Sequence, residues 1–364
     1  MEGLVTGSPA FWRGRSVFVT GHTGFKGSWL TIWLSHLGAD VHGYSLDPPT
    51  QPNLYSVANI SSVVASDYRG DIRDLRSLSA AMKEVAPEVV FHLAAQPLVR
   101  ESYQDPTSTL ATNVMGTAHV LEAARHTDSI RSVVVITTDK VYENRDWHFP
   151  YREIDPLGGS DPYSASKAAS ELVVATYRAS FFTARSDAPC HVASARAGNV
   201  IGGGDWATDR LVPDCLRAFS RKEAVTLRYP QAVRPWQHVL EPLAGYLALA
   251  ERLSRPDGRP FAQAWNFGPN TEDHASVERV VRMIATLSNL PYEPIVYSQS
   301  ENPHEASLLC LDSTLARTQL HWRPHWPLAA ALTRTIEWHN AWQHGHDMLA
   351  FSRQQISSLR SEHS

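Results

Sequence analysis

Tyr163 and Lys167 have the side-chain types and the spacing for proton transfer from an alcohol. Four residues make about one helical turn, so both side chains lie on one face if residues 163–179 form a helix. A neighbouring ammonium lowers the pKa of a phenol, which lets Tyr163 remove a proton while a hydride leaves for a nicotinamide. The same spacing is common on solvated helix faces, and we favour catalysis because a nucleotide-binding pattern precedes it in the chain.

Thr138 and Asp139 follow a β-branched run at 131–137 that predicts a strand. In open α/β sheets, ligands bind at the carboxyl ends of the strands. We therefore predict that Thr138 hydrogen-bonds the reacting hydroxyl and that Asp139 donates a proton to a leaving group. The alternative is a local Thr/Asp cap of the next turn.

A glycine-rich run at residues 21–27, GHTGFKG, lies between a predicted strand and a predicted helix. Glycines permit the tight turn and let a pyrophosphate approach bare backbone at the positive end of the helix. A glycine turn alone is weak evidence, but the flanking strand and helix indicate a dinucleotide site. The predicted cofactor contacts of this run are Gly21, Thr23, Gly24, Phe25, Lys26 and Gly27.

Asp47 follows the second predicted strand, about twenty residues beyond Gly27, where a carboxylate accepts hydrogen bonds from the adenosine ribose. A carboxylate there repels a 2′-phosphate, so the predicted cofactor is NAD rather than NADP. Two alternatives stay open. Asp47 is also a common residue type for a turn before proline, and Lys26 is a possible partner of a 2′-phosphate.

Two later segments extend the predicted NAD site. After the third strand, Asp71 is placed to meet the adenine amino group, with Ile72 beside it. The fourth strand ends in a run that lets the cofactor lie close to backbone, formed by Leu93, Ala94 and Ala95 and followed by Gln96. Tyr163 and Lys167 are also predicted to contact the cofactor.

Parallel strands and covering helices are needed to position these residues. The pattern predicts strands at 16–20, 40–44, 62–66, 88–93, 131–137 and 191–196. It predicts helices at 26–37, 75–85 with Asp74 as cap, 107–125 and 163–179. Right-handed crossovers then give an α/β fold with a doubly wound parallel sheet of the Rossmann type and a smaller C-terminal substrate-binding lobe.

The same pattern predicts the domain boundaries. Residues 11–198 form the NAD-binding domain, to which 240–268 return. Residues 199–239 and 269–349 form the substrate lobe, and 350–364 form a polar, frayed tail.

Composition argues against several classes of function. The net charge of −4 over 364 residues lacks the basic bias of a nucleic-acid or anionic-membrane partner. No apolar run approaches the ~18 residues of a membrane span, and residues 1–15 lack a signal-peptide core, so a cytoplasmic location is expected. Three scattered cysteines predict neither disulfides nor a zinc site, and the histidines at 339, 344 and 346 have no supporting ligands, so no metal is expected.

Three longer segments carry a family resemblance: TTDKVYEN at 137–144, GNVIGGGDWA at 198–207 and RPWQHV at 234–239. With the glycine run and the Tyr-x-x-x-Lys pair, they make residues 11–342 resemble the extended short-chain dehydrogenase/reductase superfamily and, within it, the CDP-glucose 4,6-dehydratases. The resemblance implies CDP-glucose as substrate and an NAD that is regenerated in each turnover. The implied reaction is oxidation at carbon 4, loss of water across carbons 5 and 6, and hydride return to carbon 6.

The resemblance also implies further site residues. The related dTDP-glucose enzymes carry Asp-Glu where this chain has Asp139-Lys140, and their glutamate is the carbon-5 base. A lysine needs a pKa depressed by burial or by a nearby cation to replace it, and on that condition Lys140 is the expected base. Asn199 and Arg234 match the family positions that hold the pyrophosphate, and Gln96 is a further expected substrate contact.

Other functions remain open at this point. A nucleotide-sugar 4-epimerase uses the same tyrosine and lysine but needs no acid for departing water, and a dehydratase for a dTDP- or GDP-hexose differs only in its base. A non-catalytic NAD-sensing regulator has no need of the Tyr163–Lys167 pair. Superfamily members pair the helices equivalent to 107–125 and 163–179 across a two-fold axis, so a homodimer is expected.

Overall fold

A computed structural model describes residues 8–182, 189–298 and 308–361. Its strands are β1 (Ser16–Thr20), β2 (Asp40–Ser45), β3 (Ser66–Arg69), β4 (Val89–His92), β5 (Ser132–Ile136), β6 (His191–Ala197), β7 (Val200–Ile201), β8 (Val225–Leu227), β9 (Val233–Pro235), β10 (Gln237–His238), β11 (Ala264–Phe267), β12 (His274–Ser276) and β13 (Ile295–Tyr297). Its α-helices are α1 (Pro9–Trp12), α2 (Phe25–His36), α3 (Leu54–Val57), α4 (Leu75–Val85), α5 (Val99–Gln104), α6 (Pro106–Leu110), α7 (Gly116–Arg125), α8 (Pro162–Tyr177), α9 (Leu211–Ser220), α10 (Leu240–Leu253), α11 (Val277–Leu287), α12 (Thr314–Gln319), α13 (Leu328–Gln343) and α14 (Met348–Ser361).

One parallel sheet of seven strands forms the centre, in the order β11-β6-β5-β4-β1-β2-β3. Strands β4, β5 and β6 are buried along their whole length, as a parallel sheet covered by helices on both faces requires. The direction of strand progression reverses between β1 and β4, and ligands bind at such a switch point in doubly wound folds. The predicted fold class is confirmed.

The two faces of the sheet carry separate apolar cores. On one face α2 and α10 pack through buried side chains that include Trp29, Trp33 and Leu243. On the other face α4, α7 and α8 pack through buried side chains that include Met82 and Val174. This double covering fixes the carboxyl edge of the sheet, where the predicted site residues lie.

A third core holds together the elements outside the main sheet. Helices α9, α11 and α13 pack around β8 through side chains that include Phe219, Ile284 and Leu332. Strand β8 pairs with β13, β9 with β12, and β7 with β10. The segment 240–268 instead supplies α10 and the edge strand β11 to the main sheet.

Three local predictions differ from the structure. The strand predicted at 62–66 lies at Ser66–Arg69, because Val63 and Val64 pack on the core from a turn and the half-exposed edge strand is polar. The helix predicted at 107–125 is helical throughout but widens into a π segment at Ala111–Met115. The prediction of a frayed tail was wrong, because α14 continues to Ser361 and buries Ile356 and Leu359. Residues 362–364 lie outside the described part.

The described residues also bear on membrane-spanning and metal-binding classes of protein. None of the helices described in 8–182, 189–298 and 308–361 has the length and apolarity of a membrane-crossing helix. In these ranges no cluster of three or more His, Cys, Asp or Glu residues is arranged to hold a metal ion. Cys190, Cys215 and Cys310 are buried.

Candidate active site

A cavity of about 910 Å³ opens along the carboxyl edge of the sheet. The glycine run, the ends of β4 and β5, the start of α8 and the segments at 198–214 and 225–229 contribute to its wall. Every side chain predicted from the sequence to contact cofactor or substrate lines this cavity. Their roles stay predictions, but the fold brings all of them to one place.

The glycine run has the shape that a bound diphosphate needs. Gly21 has a φ of +79°, and a β-carbon there would lie 2.6 Å from the backbone nitrogen of Ala94. A β-carbon on Gly27 would lie 2.0 Å from the carbonyl oxygen of Gly21. Helix α2 begins at Phe25, so its positive end faces the turn. Only glycines fit at these two positions, which keeps backbone N–H groups open to an anion.

Two carboxylates lie at the other end of the cavity, and each has an arginine partner that the sequence did not reveal. Asp47 is 90% exposed and lies 3.3 Å from the guanidinium of Arg69. Asp71 accepts a 2.6 Å hydrogen bond from Arg73, which lowers the pKa of Asp71. Both residues line the cavity wall, and carboxylate oxygens accept hydrogen bonds from ribose hydroxyls or an adenine amino group.

Lys26 points toward the catalytic end of the cavity. Burial, together with the charges of Arg210 and Lys167, lowers the pKa of its ammonium to about 7, and the charge of Asp139 opposes this shift. Asp139 lies in the turn after β5, Lys167 lies on α8, and Arg210 immediately precedes α9. The alternative in which Lys26 pairs with a ribose 2′-phosphate is therefore not supported, because its ammonium lies near Asp139 and Lys167, two of the predicted catalytic residues.

The segment after β5 holds a buried carboxyl group. Residues Asp139–Val141 form a 3-10 turn capped by Thr138, whose hydroxyl donates to Oδ1 of Asp139 over 2.9 Å. Asp139 is 2% exposed, and within the described residues its Oδ2 has no hydrogen-bond partner. Burial raises the pKa of Asp139, although Lys140 and Thr138 oppose the shift. A carboxyl group held in this way favours its protonated, proton-donating form.

Tyr163 and Lys167 lie at the start of α8, which Asp161 caps by accepting a 2.9 Å hydrogen bond from the Ser164 backbone. Burial raises the pKa of Tyr163 to about 12, while Thr138 and Arg210 lower it. Burial lowers the pKa of Lys167 to about 8, and its ammonium donates to the carbonyl oxygen of Ile136 over 3.2 Å. Burial thus outweighs the electrostatic lowering predicted for the phenol.

The three predicted substrate contacts have different local environments. Arg234 is 3% exposed and lies close enough to Asp139 to lower the pKa of that carboxyl group. Asn199 lines the cavity next to the end of β6. The Gln96 amide donates to the carbonyl oxygen of Leu98 and to the Thr109 hydroxyl, so it also shapes the loop.

Sequence reasoning missed a second arginine at the catalytic end. Arg210 pairs with Asp205 at 2.9 Å, and its charge acts on both Tyr163 and Lys26. Beside it, Asp209 bridges Arg100 and Arg228, at 3.2 and 3.1 Å. No local motif marks Arg210, which reaches the cavity on the loop 203–210 only in the folded protein.

The seven-stranded sheet, glycine turn and Tyr163–Lys167 pair define the class of the extended short-chain dehydrogenases/reductases. The model of the GDP-mannose 4,6 dehydratase family matches residues 18–335, and the chain belongs to this family. It is 50% identical to the CDP-glucose 4,6-dehydratase of Salmonella typhimurium, over 96% of this chain and 98% of that protein. The predicted family resemblance is confirmed.

Two solved structures are also similar. The MoeE5 structure in complex with UDP-glucuronic acid and NAD is 27% identical, with a TM-score of 0.75, over 90% of this chain and 99% of that one. The dTDP-glucose 4,6-dehydratase from Streptomyces venezuelae, solved with NAD and TYD, is 24% identical, with a TM-score of 0.76, over 92% and 99%. The second likeness concerns the fold alone.

Proposed function

We propose that this chain is an NAD-dependent hydro-lyase that converts CDP-D-glucose to CDP-4-keto-6-deoxy-D-glucose in deoxysugar biosynthesis. Its 50% identity to a CDP-glucose 4,6-dehydratase over nearly the whole chain supports the substrate and the reaction. The observation that carries the reaction type is the buried Asp139, whose Oδ2 has no hydrogen-bond partner within the described residues and which lines the same cavity as Tyr163. Loss of water needs such a proton donor.

Tyr163 is the base for the 4-hydroxyl, and Thr138 holds that hydroxyl by a hydrogen bond. The positive charges of Lys167 and Arg210 stabilise the phenolate that burial disfavours. Once carbon 4 is a ketone, the proton on carbon 5 becomes acidic. Lys140 removes it, and Asp139 protonates the departing 6-hydroxyl, so that one water leaves. After hydride addition at carbon 6, the Lys140 ammonium returns its proton to carbon 5, and the proton that Tyr163 took replaces the one that Asp139 gave up. Lys140 is half-buried and borders the cavity, within electrostatic range of Asp139.

The cavity also suits the cofactor. Bound NAD would supply a reversible hydride acceptor for carbon 4 and a hydride donor for carbon 6. The glycine turn at Gly21 and Gly27 leaves room for its diphosphate, and Asp47 and Asp71 accept hydrogen bonds from its adenosine. In the substrate lobe, Arg234 and Asn199 hold the diphosphate of the nucleotide sugar, since a guanidinium fork matches phosphate oxygens.

A substrate screen tests this proposal. The protein with NAD is incubated with CDP-, dTDP-, GDP- and UDP-hexoses, and the products are weighed by mass spectrometry. A loss of one water, about 18 Da, from CDP-glucose is expected. Loss of water from another nucleotide sugar alone would move the assignment to that nucleotide. Unchanged mass with inverted carbon 4 would indicate the 4-epimerase instead.

We further propose a homodimer formed through α6, α7 and α8. Leu110, Met115 and Leu172 are 43%, 52% and 60% exposed on this surface. Large apolar side chains exposed on neighbouring helices are typical of a face that another helix pair covers. Sedimentation at micromolar protein is expected to give twice the chain mass, and a monomer would contradict the proposal.

A further inference from the structure

A buried ion pair lies behind the catalytic residues. Glu171, on α8, pairs with Arg196, on β6, and their side chains are 4% and 3% exposed. Two parallel bonds of 3.0 Å join them, from Nε and Nη2 of Arg196 to the two carboxylate oxygens. Ser194 also donates to Glu171 over 2.6 Å. None of these three residues lines the cavity, so direct contact with substrate does not explain the pair.

The pair is bonded to both ends of the segment that carries the predicted acid and base. At its start, the Thr137 hydroxyl donates to Glu171 over 2.5 Å. At its end, Nη1 of Arg196 donates to the Tyr142 hydroxyl over 2.8 Å. The residues between these two anchors, 138–141, include Thr138, Asp139 and Lys140. The segment is thus tied at each end to one half of the ion pair.

The same ion pair connects this segment to α8, the helix that carries Tyr163 and Lys167. Glu171 lies one helical turn after Lys167, whose ammonium donates to the carbonyl oxygen of Ile136, the residue before Thr137. The charge of Glu171 also opposes the lowering of the Lys167 pKa by burial. Helix α8 and the end of β5 are therefore joined at two consecutive residues, 136 and 137.

We propose that Glu171 and Arg196 are positioning residues, which hold Asp139 and Lys140 in register with Tyr163 for the elimination step. The inference rests on the proposed dehydratase function. Acid and base must meet carbon 5 and the 6-hydroxyl of one bound sugar, and a small misplacement of such groups lowers rates steeply. Anchors at both ends remove the freedom of a short turn that would otherwise move against α8.

Two mild variants test the anchors without leaving a buried charge unpaired. Thr137→Val removes the bond at one end, and Tyr142→Phe removes the bond at the other together with the 2.7 Å bond from the Tyr142 hydroxyl to Oδ1 of Asn266. Each keeps the side-chain volume, so Glu171 and Arg196 keep each other as partners. Thr335→Val is the matched control, because Thr335 is a fully buried threonine that donates to the Ala331 carbonyl oxygen over 2.7 Å, away from the cavity.

The readout separates oxidation from elimination. Reduced cofactor is followed by its absorbance and loss of water by mass, with CDP-glucose as substrate. Each anchor variant is expected to slow water loss between about tenfold and about a hundredfold at unchanged KM. The steady-state fraction of reduced cofactor is expected to rise, because elimination depends on the anchored segment more than oxidation does.

The outcomes are distinguishable from failure of the proposed function. If the unaltered protein does not release water from any nucleotide sugar, the dehydratase assignment itself is wrong. If it does, and both anchor variants match Thr335→Val in rate and in reduced-cofactor fraction, the positioning role is refuted. Equal slowing of all three variants would also refute it, since a general loss of stability would then be the cause.

Discussion

Replacing Asp139 with asparagine should change activity and stability in opposite directions. The carboxyl group is 2% exposed, its Oδ2 has no partner within the described residues, and burial raises its pKa. An amide of the same shape fills the space but is not an acid. The variant therefore loses the proton donor for the departing hydroxyl while removing a carboxylate whose ionisation burial disfavours.

The expected loss of rate follows from the role of the group. General acid catalysis contributes about 10²- to 10⁴-fold, which corresponds to about 3–5 kcal/mol of activation free energy. Oxidation at carbon 4 depends on Tyr163 and continues. Reduced cofactor should accordingly accumulate on Asp139→Asn after CDP-glucose is added, whereas loss of water slows by that factor.

The expected gain of stability depends on pH. A folded-state pKa above the unfolded value of about 3.9 means that the folded state disfavours ionisation of Asp139. Below that pH the carboxyl group is protonated in both the folded and the unfolded state, so it does not lower the free energy of unfolding. As the pH rises above it, the wild-type free energy of unfolding falls relative to that of Asp139→Asn, until the folded-state carboxyl also ionises. Urea unfolding at pH 4 and pH 7 measures this difference.

A second buried aspartate provides the matched control. Asp273 is 7% exposed, burial raises its pKa, and it accepts a 2.7 Å hydrogen bond from the Leu328 backbone outside the cavity. Asp273→Asn should retain the rate of water loss. The reasoning is refuted if Asp139→Asn releases water within about fivefold of the wild-type rate, far short of a general-acid contribution, or if it is less stable than wild type at pH 7.

Three further predictions test the cofactor site, the electrostatics and the assembly. Gly27→Ala should abolish NAD binding in calorimetry, because its β-carbon would lie 2.0 Å from the Gly21 carbonyl oxygen; normal affinity would contradict the predicted turn. Since burial lowers the pKa of Lys26 to about 7, wild type should gain stability relative to Lys26→Met as pH rises from 7 toward 10.5, and parallel stability curves would count against this. Leu172→Glu should give a monomer in sedimentation, whereas Ile154→Glu, at an 83% exposed position, should not.

Local spacing made part of the site predictable. The glycine run is fixed by a strand, a turn and a helix that adjoin in sequence, and Tyr163 and Lys167 are one helical turn apart. Both features depend only on residues that are close in the sequence, so the sequence pattern was enough to predict where they lie. The cap of α4 was predictable for the same reason, since Asp74 accepts from the Arg76 and Ser77 backbones.

Tertiary contacts decided what the sequence did not reveal. Arg210 reaches the catalytic end on a loop, and Arg69 meets Asp47 from a neighbouring strand. The pKa of Tyr163 depends on its burial in the folded protein, which no spacing encodes. Helix α14 has a largely polar sequence, and its packing on α2 and α13 explains why Ile356 and Leu359 are buried.

CDP-glucose carrying deuterium on carbon 4 gives the most direct test of transient oxidation with internal hydride return. The purified protein with NAD should give a product lighter by one water, with the deuterium on carbon 6. Deuterium retained on carbon 4 in a product of unchanged mass would mean epimerisation, and its loss to solvent or to free cofactor would mean that no return occurs. Either result would contradict the proposed dehydratase mechanism.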